Sequence, residues 1–121
     1  LNLPQLVLLD ATLANKRHSE LFIPHSRYFD LKRHFSDLNN PLPHTLPQAQ
    51  DFALAATKLG INNDSMIVVY DQNGIYSSAR CWWMCKAMGH HNIYILILYM
   101  LRNNHRAIYF FYQFLFQNED F

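Results

Sequence analysis

Of 121 residues only two are cysteine, three glycine and five proline, and what these types leave out narrows the reading at once. Cys81 and Cys85 are too few for a disulfide framework. Their spacing is neither the C-x-x-C of a redox motif nor half of a zinc site. Nothing in cysteine usage points to an oxidising compartment, so a cytoplasmic location is expected. All prolines (4, 24, 41, 43 and 47) precede residue 48, and the glycines (60, 74 and 89) all come before the last 32 residues, which therefore lack turn chemistry. Charge is also scarce, at 16%, and ten Lys+Arg against nine Asp+Glu give a net charge of +1. That balance carries no electrostatic footprint for nucleic acid or an anionic membrane surface. Seven histidines are scattered without metal-ligand spacing, so neither a metal nor another cofactor is expected. The longest apolar run has nine residues, 93–101, half of the ~20 that a bilayer requires, so no membrane span is expected. The chain starts at Leu1 rather than Met, with no basic n-region or cleavage site. We expect no signal peptide and an incomplete N-terminus.

What is present is apolar: 50% of the residues, enough for one heavily buried domain and too short a chain for two. Three short runs, Leu6-Val7-Leu8-Leu9, Met66-Ile67-Val68-Val69-Tyr70 and Ile93-Tyr94-Ile95-Leu96, do not alternate with polar residues. Such runs predict parallel strands buried on both faces. Between them, Ala49, Phe52, Ala53, Ala56 and Leu59 recur at helical spacing before Gly60. Thr45 and Gln48 have capping-box spacing, with Pro47 suited to the first turn. A second helix should start at Ser77 or Ser78 and end at Gly89, with Trp82, Trp83, Met84 and Met88 in the core and Cys81 and Cys85 as buried reduced thiols. The His90-His91 pair after the helix stop reads as a solvated turn. Strand, helix and strand form a βαβ unit with a right-handed crossover. The loop 71–76, at the carboxyl end of its first strand, is where a ligand would sit.

Four segments then carry a family resemblance. Leu8-Leu9-Asp10-Ala11-Thr12, Ile23-Pro24-His25-Ser26-Arg27-Tyr28-Phe29-Asp30, Pro41-Leu42-Pro43-His44-Thr45-Leu46-Pro47, and Val68-Val69-Tyr70-Asp71 followed by Ser78-Ala79-Arg80-Cys81-Trp82-Trp83-Met84 occur in the order seen in rhodanese-type sulfurtransferases. Over about residues 5–96 the chain resembles the N-terminal domain of a tandem thiosulfate or 3-mercaptopyruvate sulfurtransferase. The resemblance implies a rhodanese-like three-layer α/β sandwich around a parallel sheet, incomplete at its C-terminal end. It also implies a small sulfur-containing anion as substrate, and a persulfide-forming cysteine in a second, C-terminal rhodanese domain that this chain lacks. The position aligned with such a cysteine is Asp71, and a carboxylate cannot accept sulfane sulfur. Whether the chain is enzymatic is thus left open: it reads either as part of a sulfurtransferase or as an inactive rhodanese module that binds an anion or a protein partner.

Six residues are candidates for supporting a cleft or an interdomain wall, and none is assigned as catalytic. Asp71, with Asn73 and Gly74 in its loop, either helps hold the cleft or caps the following turn. His44 resembles a histidine proposed to stand beside the family's active cysteine, and is either an interdomain contact or a loop histidine bonded to backbone. Asp30 matches an acid of the family pattern or is a turn former, while Lys32 stands where a second acid would be. Arg80, a cation in the first turn of a helix, should need an anion or a carboxylate such as Asp10 or Asp71.

After Leu96 the resemblance stops. Nine of the 18 aromatic residues fall in the last 30 positions. A shifted reading frame or a genuine C-terminal helix would each account for this; Tyr109, Tyr112 and Phe116, like Phe110 and Phe114, have helix-like spacing. We therefore divide the chain into a rhodanese domain, 1–96, and a divergent aromatic tail, 97–121, expected to limit solubility.

Overall fold

The computed structural model describes residues 5–42, 45–101 and 106–111. Its elements are β1 (Leu6–Asp10), two 3-10 turns (Ala14–Lys16 and Ser19–Leu21), β2 (Arg27–Tyr28), α1 (Ala49–Lys58), β3 (Met66–Tyr70), α2 (Ser77–Ala87), β4 (Ile93–Leu101) and β5 (Arg106–Phe111). The strands form one sheet in the order β2-β1-β3-β4-β5. The first four are mutually parallel, as the aliphatic runs predict, and β5 is antiparallel to β4.

The register separates the two faces. Val7 pairs with Ile67 and Leu9 with Val69, and these pair onward with Ile93 and Ile95, so all six side chains share one face. All six are buried, in one cluster with Phe29, Phe35, Phe52, Ala56, Cys81, Trp82, Met84 and Cys85 from the loop after β2 and from the two helices. The opposite face carries Leu8, Met66, Val68 and Tyr94, all only partly buried, and Leu6, which is 61% exposed. The expectation of strands buried on both faces holds only in part: Asp10, Tyr70 and Leu96 bury this face too at the carboxyl ends of the strands, while among the described residues its amino-terminal half is only partly covered, and the sheet is not closed. A continuous apolar run cannot distinguish a two-sided strand from a one-sided one, because both faces carry the same residue types.

Helix α1 starts at the expected place by a different device. Its N-cap is Gln48, in extended geometry and without a side-chain cap, so the expected capping box does not form and Pro47 precedes the helix. The Thr45 hydroxyl turns back to the Asp37 and Leu42 carbonyls instead, closing a loop that the Asp37 N–H to Thr45 carbonyl bond (3.0 Å) also holds. At the other end Gly60 adopts φ 78° and the Ile61 N–H returns to the Ala56 carbonyl at 3.0 Å. A left-handed glycine thus stops the helix. The Arg27 guanidinium donates to the adjacent Leu59 carbonyl and covers the space a β-carbon at position 60 would fill.

Helix α2 buries Ser77, Ser78, Cys81, Trp82, Met84 and Cys85. The expected core is corrected for Trp83, which is 38% exposed, and for Met88, which is only partly buried at the core's edge. One helix face meets the sheet, so adjacent tryptophans must point apart. His90 is also more than a solvated turn: its Nε2 donates to the Ser65 carbonyl at 2.8 Å, tying the turn before β4 to the turn before β3.

Strand β4 continues past Leu96, the expected domain boundary, to Leu101. Residues 106–111 return beside it, pairing from Leu101↔Arg106 to Leu96↔Phe111. Tyr109 and Phe110 therefore lie in a strand, which corrects the helical reading of their spacing; cross-strand pairing prevails over a periodicity that aromatic-rich segments satisfy in several ways. Tyr112, Phe114 and Phe116 lie outside the described residues.

Candidate functional site

The parallel strands β1 and β3 end side by side, Asp10 opposite Tyr70, and the chain segments leaving them build the site. Asp10 and Thr12 form a local turn in which Asp10 Oδ1 accepts from the Thr12 N–H (2.9 Å) and hydroxyl (2.5 Å). The same Thr12 hydroxyl oxygen accepts the Gln72 N–H at 2.9 Å, and the Gln72 side-chain oxygen accepts the His18 N–H at 2.6 Å. The loop after β3 is thereby tied to the segment after β1.

Asp71 organises that loop. It is fully buried, and its carboxylate accepts three backbone N–H groups: Asn73 on Oδ1 at 2.9 Å, and Tyr76 at 2.9 Å and Ser78 at 2.7 Å on Oδ2. A bridge between Asp71 and Gly74, whose φ is 97°, closes the turn. The carboxylate thus lies at the N-terminus of α2, where amide donors and the helix dipole favour negative charge. Of the two readings of Asp71, the geometry is that of a cap. Asn73 and Gly74 belong to the same turn.

Arg80 stands one turn into α2 with its guanidinium over the Trp83 ring, 4.9 Å from the centroid. The two carboxylates expected as its partners have other engagements: Asp71 takes backbone amides, and Asp10 lies 3.6 Å from Arg17. Asp30 is apart from this loop. Its carboxylate accepts the Arg33 N–H at 3.2 Å and its carbonyl accepts the His34 N–H at 3.0 Å, so it is a turn former. His44 lies outside the described residues. The structure therefore brings Asp71, Asn73 and Gly74 together in one turn, sets Arg80 over Trp83 in α2, and puts Asp30 in a separate turn after β2.

Three participants went unnoticed in the sequence. Arg17 is held between two rings, 3.7 Å from the Tyr28 centroid and 4.4 Å from that of Phe22, and it faces Asp10. Tyr70, fully buried, accepts the Ile23 N–H at 3.2 Å and pairs with the Ser26 hydroxyl at 3.0 Å, fastening the 23–26 turn to β3. Burial pushes its phenol above the ordinary value, against the hydrogen bonds from Ser26 and Ile23. Gln72 is the third. The Asp-x-Thr pattern at a strand end signals the first turn; nothing local signals Arg17 or Gln72, which meet their partners only through the sheet.

No thiol stands in the loop. The chain's two cysteines lie inside α2, buried and unpaired by any disulfide, and burial, reinforced by the neighbouring Cys85, pushes the Cys81 thiol well above its ordinary value. Among the described residues no group of acids, histidines and cysteines is arranged to hold a metal ion, and no helix is long and apolar enough to cross a membrane.

Comparison with known proteins places this geometry. Residues 1–98 match the rhodanese-like domain family. A probable 3-mercaptopyruvate sulfurtransferase of Schizosaccharomyces pombe is 37% identical over 102 residues, covering 78% of this chain and 34% of that protein. The 3-mercaptopyruvate sulfurtransferase of Escherichia coli K12 is 33% identical over 102 residues, 77% of this chain and 36% of that protein. Among solved structures, Tum1 of Saccharomyces cerevisiae superposes with a TM-score of 0.68 at 34% identity, over 78% of this chain and 34% of that one. Escherichia coli SseA, described as a 3-mercaptopyruvate sulfotransferase with the rhodanese fold, superposes with a TM-score of 0.64 at 33% identity, over 76% of this chain and 38% of that one. The chain spans about a third of the length of these relatives. An unclosed parallel sheet, a short loop leading into α2 at the carboxyl end of β3, and these likenesses together show that the chain belongs to the rhodanese-like domain family.

Proposed function

We propose that these residues serve as the non-catalytic N-terminal domain of a sulfurtransferase acting on a small sulfur-containing anion, thiosulfate or 3-mercaptopyruvate, with the persulfide carried by a cysteine outside this chain. The observation that carries this reading is the occupancy of the loop amides. A persulfide or thiolate at the end of β3 would need the N–H groups of residues 73, 76 and 78, and the Asp71 carboxylate already holds all three. A carboxylate is a poor nucleophile toward sulfane sulfur and would form only a weak, readily hydrolysed O–S bond, so the loop is a wall and not a sulfur carrier. Ile75 (41% exposed) and Tyr76 (66% exposed) project from it, a composition suited to contact with another domain. This favours the domain-wall role over a free anion-binding module.

The test is a cyanide-dependent thiocyanate assay with thiosulfate and with 3-mercaptopyruvate. The purified chain should show no turnover above a Cys81→Ser/Cys85→Ser control. Turnover that this double variant abolishes would overturn the reading.

A further inference from the structure

At the opposite end of the sheet from the 71–78 loop, α1 and the turns that precede β3 and β4 enclose a half-open groove of about 530 Å³. That volume lies within the range of small-molecule sites, roughly 300–1,000 Å³. Its apolar side comes from Phe52, Ala56, Ile61 and Met88, and its polar rim from the 62–63 and 90–92 turns. Among the described residues lining it there is no Asp, Glu, Lys or Arg.

The rim is fixed before any ligand arrives. In the first turn the Asn62 side chain accepts the Asp64 N–H at 2.9 Å, and the Ser65 hydroxyl accepts the Asn62 N–H at 3.0 Å. In the second, the His90 N–H donates to the Cys85 carbonyl at 2.8 Å and Lys86 Nζ to the His91 carbonyl at 2.7 Å. The His90 Nε2 bond to the Ser65 carbonyl joins the two turns. Because a carbonyl can only accept, Nε2 carries the proton and Nδ1 of the neutral ring is an acceptor. The Asn62 amide nitrogen and the side chains of Asn63 and Asn92 supply both donors and acceptors beside it.

We infer that this groove is a binding site for a small neutral ligand with an aromatic face and an amide-like hydrogen-bonding edge. The apolar side takes the ring, the amide and imidazole groups take the polar edge, and an anion is disfavoured because no cation lines the groove and the nearby Lys86 ammonium is turned onto the His91 carbonyl. The site is independent of the sulfur chemistry proposed above, since its residues are at the other end of the strands.

The probe is indole-3-carboxamide against its near-isostere indole-3-carboxylate, added to the full 121-residue chain at a pH where histidine is neutral, with amide chemical shifts as the readout. The carboxamide should shift amides of 49–57 and 88–92, leave those of 71–78 unmoved, and bind at least about tenfold more tightly than the carboxylate. Ala53 and Ala49 are exposed lining positions, so Ala53→Phe and Ala49→Phe should fill the groove, abolish the shifts and leave the circular-dichroism melt unchanged. Equal binding of the carboxylate, shifts centred elsewhere, binding retained in both folded variants, or no carboxamide shifts at concentrations on the order of 10 mM would each overturn the inference.

Discussion

Replacing Asp71 with alanine removes one carboxylate and leaves three backbone amides, those of Asn73, Tyr76 and Ser78, without their acceptor. Water can reach the exposed Asn73 and Tyr76, so the largest loss falls on the buried Ser78 amide in the first turn of α2. A buried donor left unsatisfied costs about 1–3 kcal/mol and a lost helix cap about 1 kcal/mol, so the substitution should destabilise by about 3 kcal/mol. At about 4 °C per kcal/mol for a domain of this size, the melting temperature should fall by about 12 °C. Asp71→Asn keeps the shape and one oxygen. That oxygen can serve Asn73 or the Tyr76 and Ser78 pair but not both, and the amide nitrogen then faces a donor. About half of the alanine effect is expected. Urea and thermal denaturation followed by circular dichroism measure both variants. A melting temperature for Asp71→Ala within about 2 °C of the parent would refute the claim that the carboxylate holds the loop, because a buried amide left unsatisfied together with a lost helix cap is not that inexpensive.

Two further predictions concern stability. His25 is exposed at φ 68°, in the turn closed by the Ser26 N–H to the Ile23 carbonyl, so His25→Gly should relieve left-handed strain and raise stability by about 0.5–1 kcal/mol after glycine's larger unfolded-state entropy; an unchanged or lower urea midpoint would sink that account. Burial raises both Cys81 and Tyr70 in the folded state, so each contributes stability that is full below its unfolded pKa, near 8.5 for the thiol and near 10 for the phenol, and is lost as the pH rises towards the folded value. Urea midpoints should therefore decline from about pH 8.5 upwards, and a combined Cys81→Ala/Tyr70→Phe variant should show a shallower decline; an equal slope would contradict it.

Several elements were legible because their determinants are local. The aliphatic runs at 6–9 and 66–70 give β1 and β3, the alanine-rich spacing before Gly60 gives α1, and the segment from Ser77 to Gly89 gives α2. Asp71 and Asp30 were recognisable as turn formers for the same reason: a short acid bonds to amides two to seven residues ahead of it. Thr45 shows the limit of such reasoning. Its capping-box spacing was correct, yet its hydroxyl closes the loop to Asp37 instead, because a neighbouring segment offers carbonyls that the sequence window does not contain. Arg17, Gln72 and Tyr70 were not legible as site residues, since each acts on a partner 47 or 54 positions away or on rings brought beside it by the fold.

The residues by themselves determined a parallel α/β domain and a loop without a thiol, since strand runs, helix spacing and the identity of residue 71 are one-dimensional properties, and their motifs carried the resemblance to the rhodanese type. Tertiary structure alone decided how fully each face of that sheet is covered, which partners Gln72 and Tyr70 meet, and that the segment after Leu96 pairs as antiparallel strands. Burial and the contacts of Gln72 and Tyr70 depend on groups far apart in sequence, which the register of β1, β3 and β4 brings within reach, and β5 pairs with the edge that β4 leaves open.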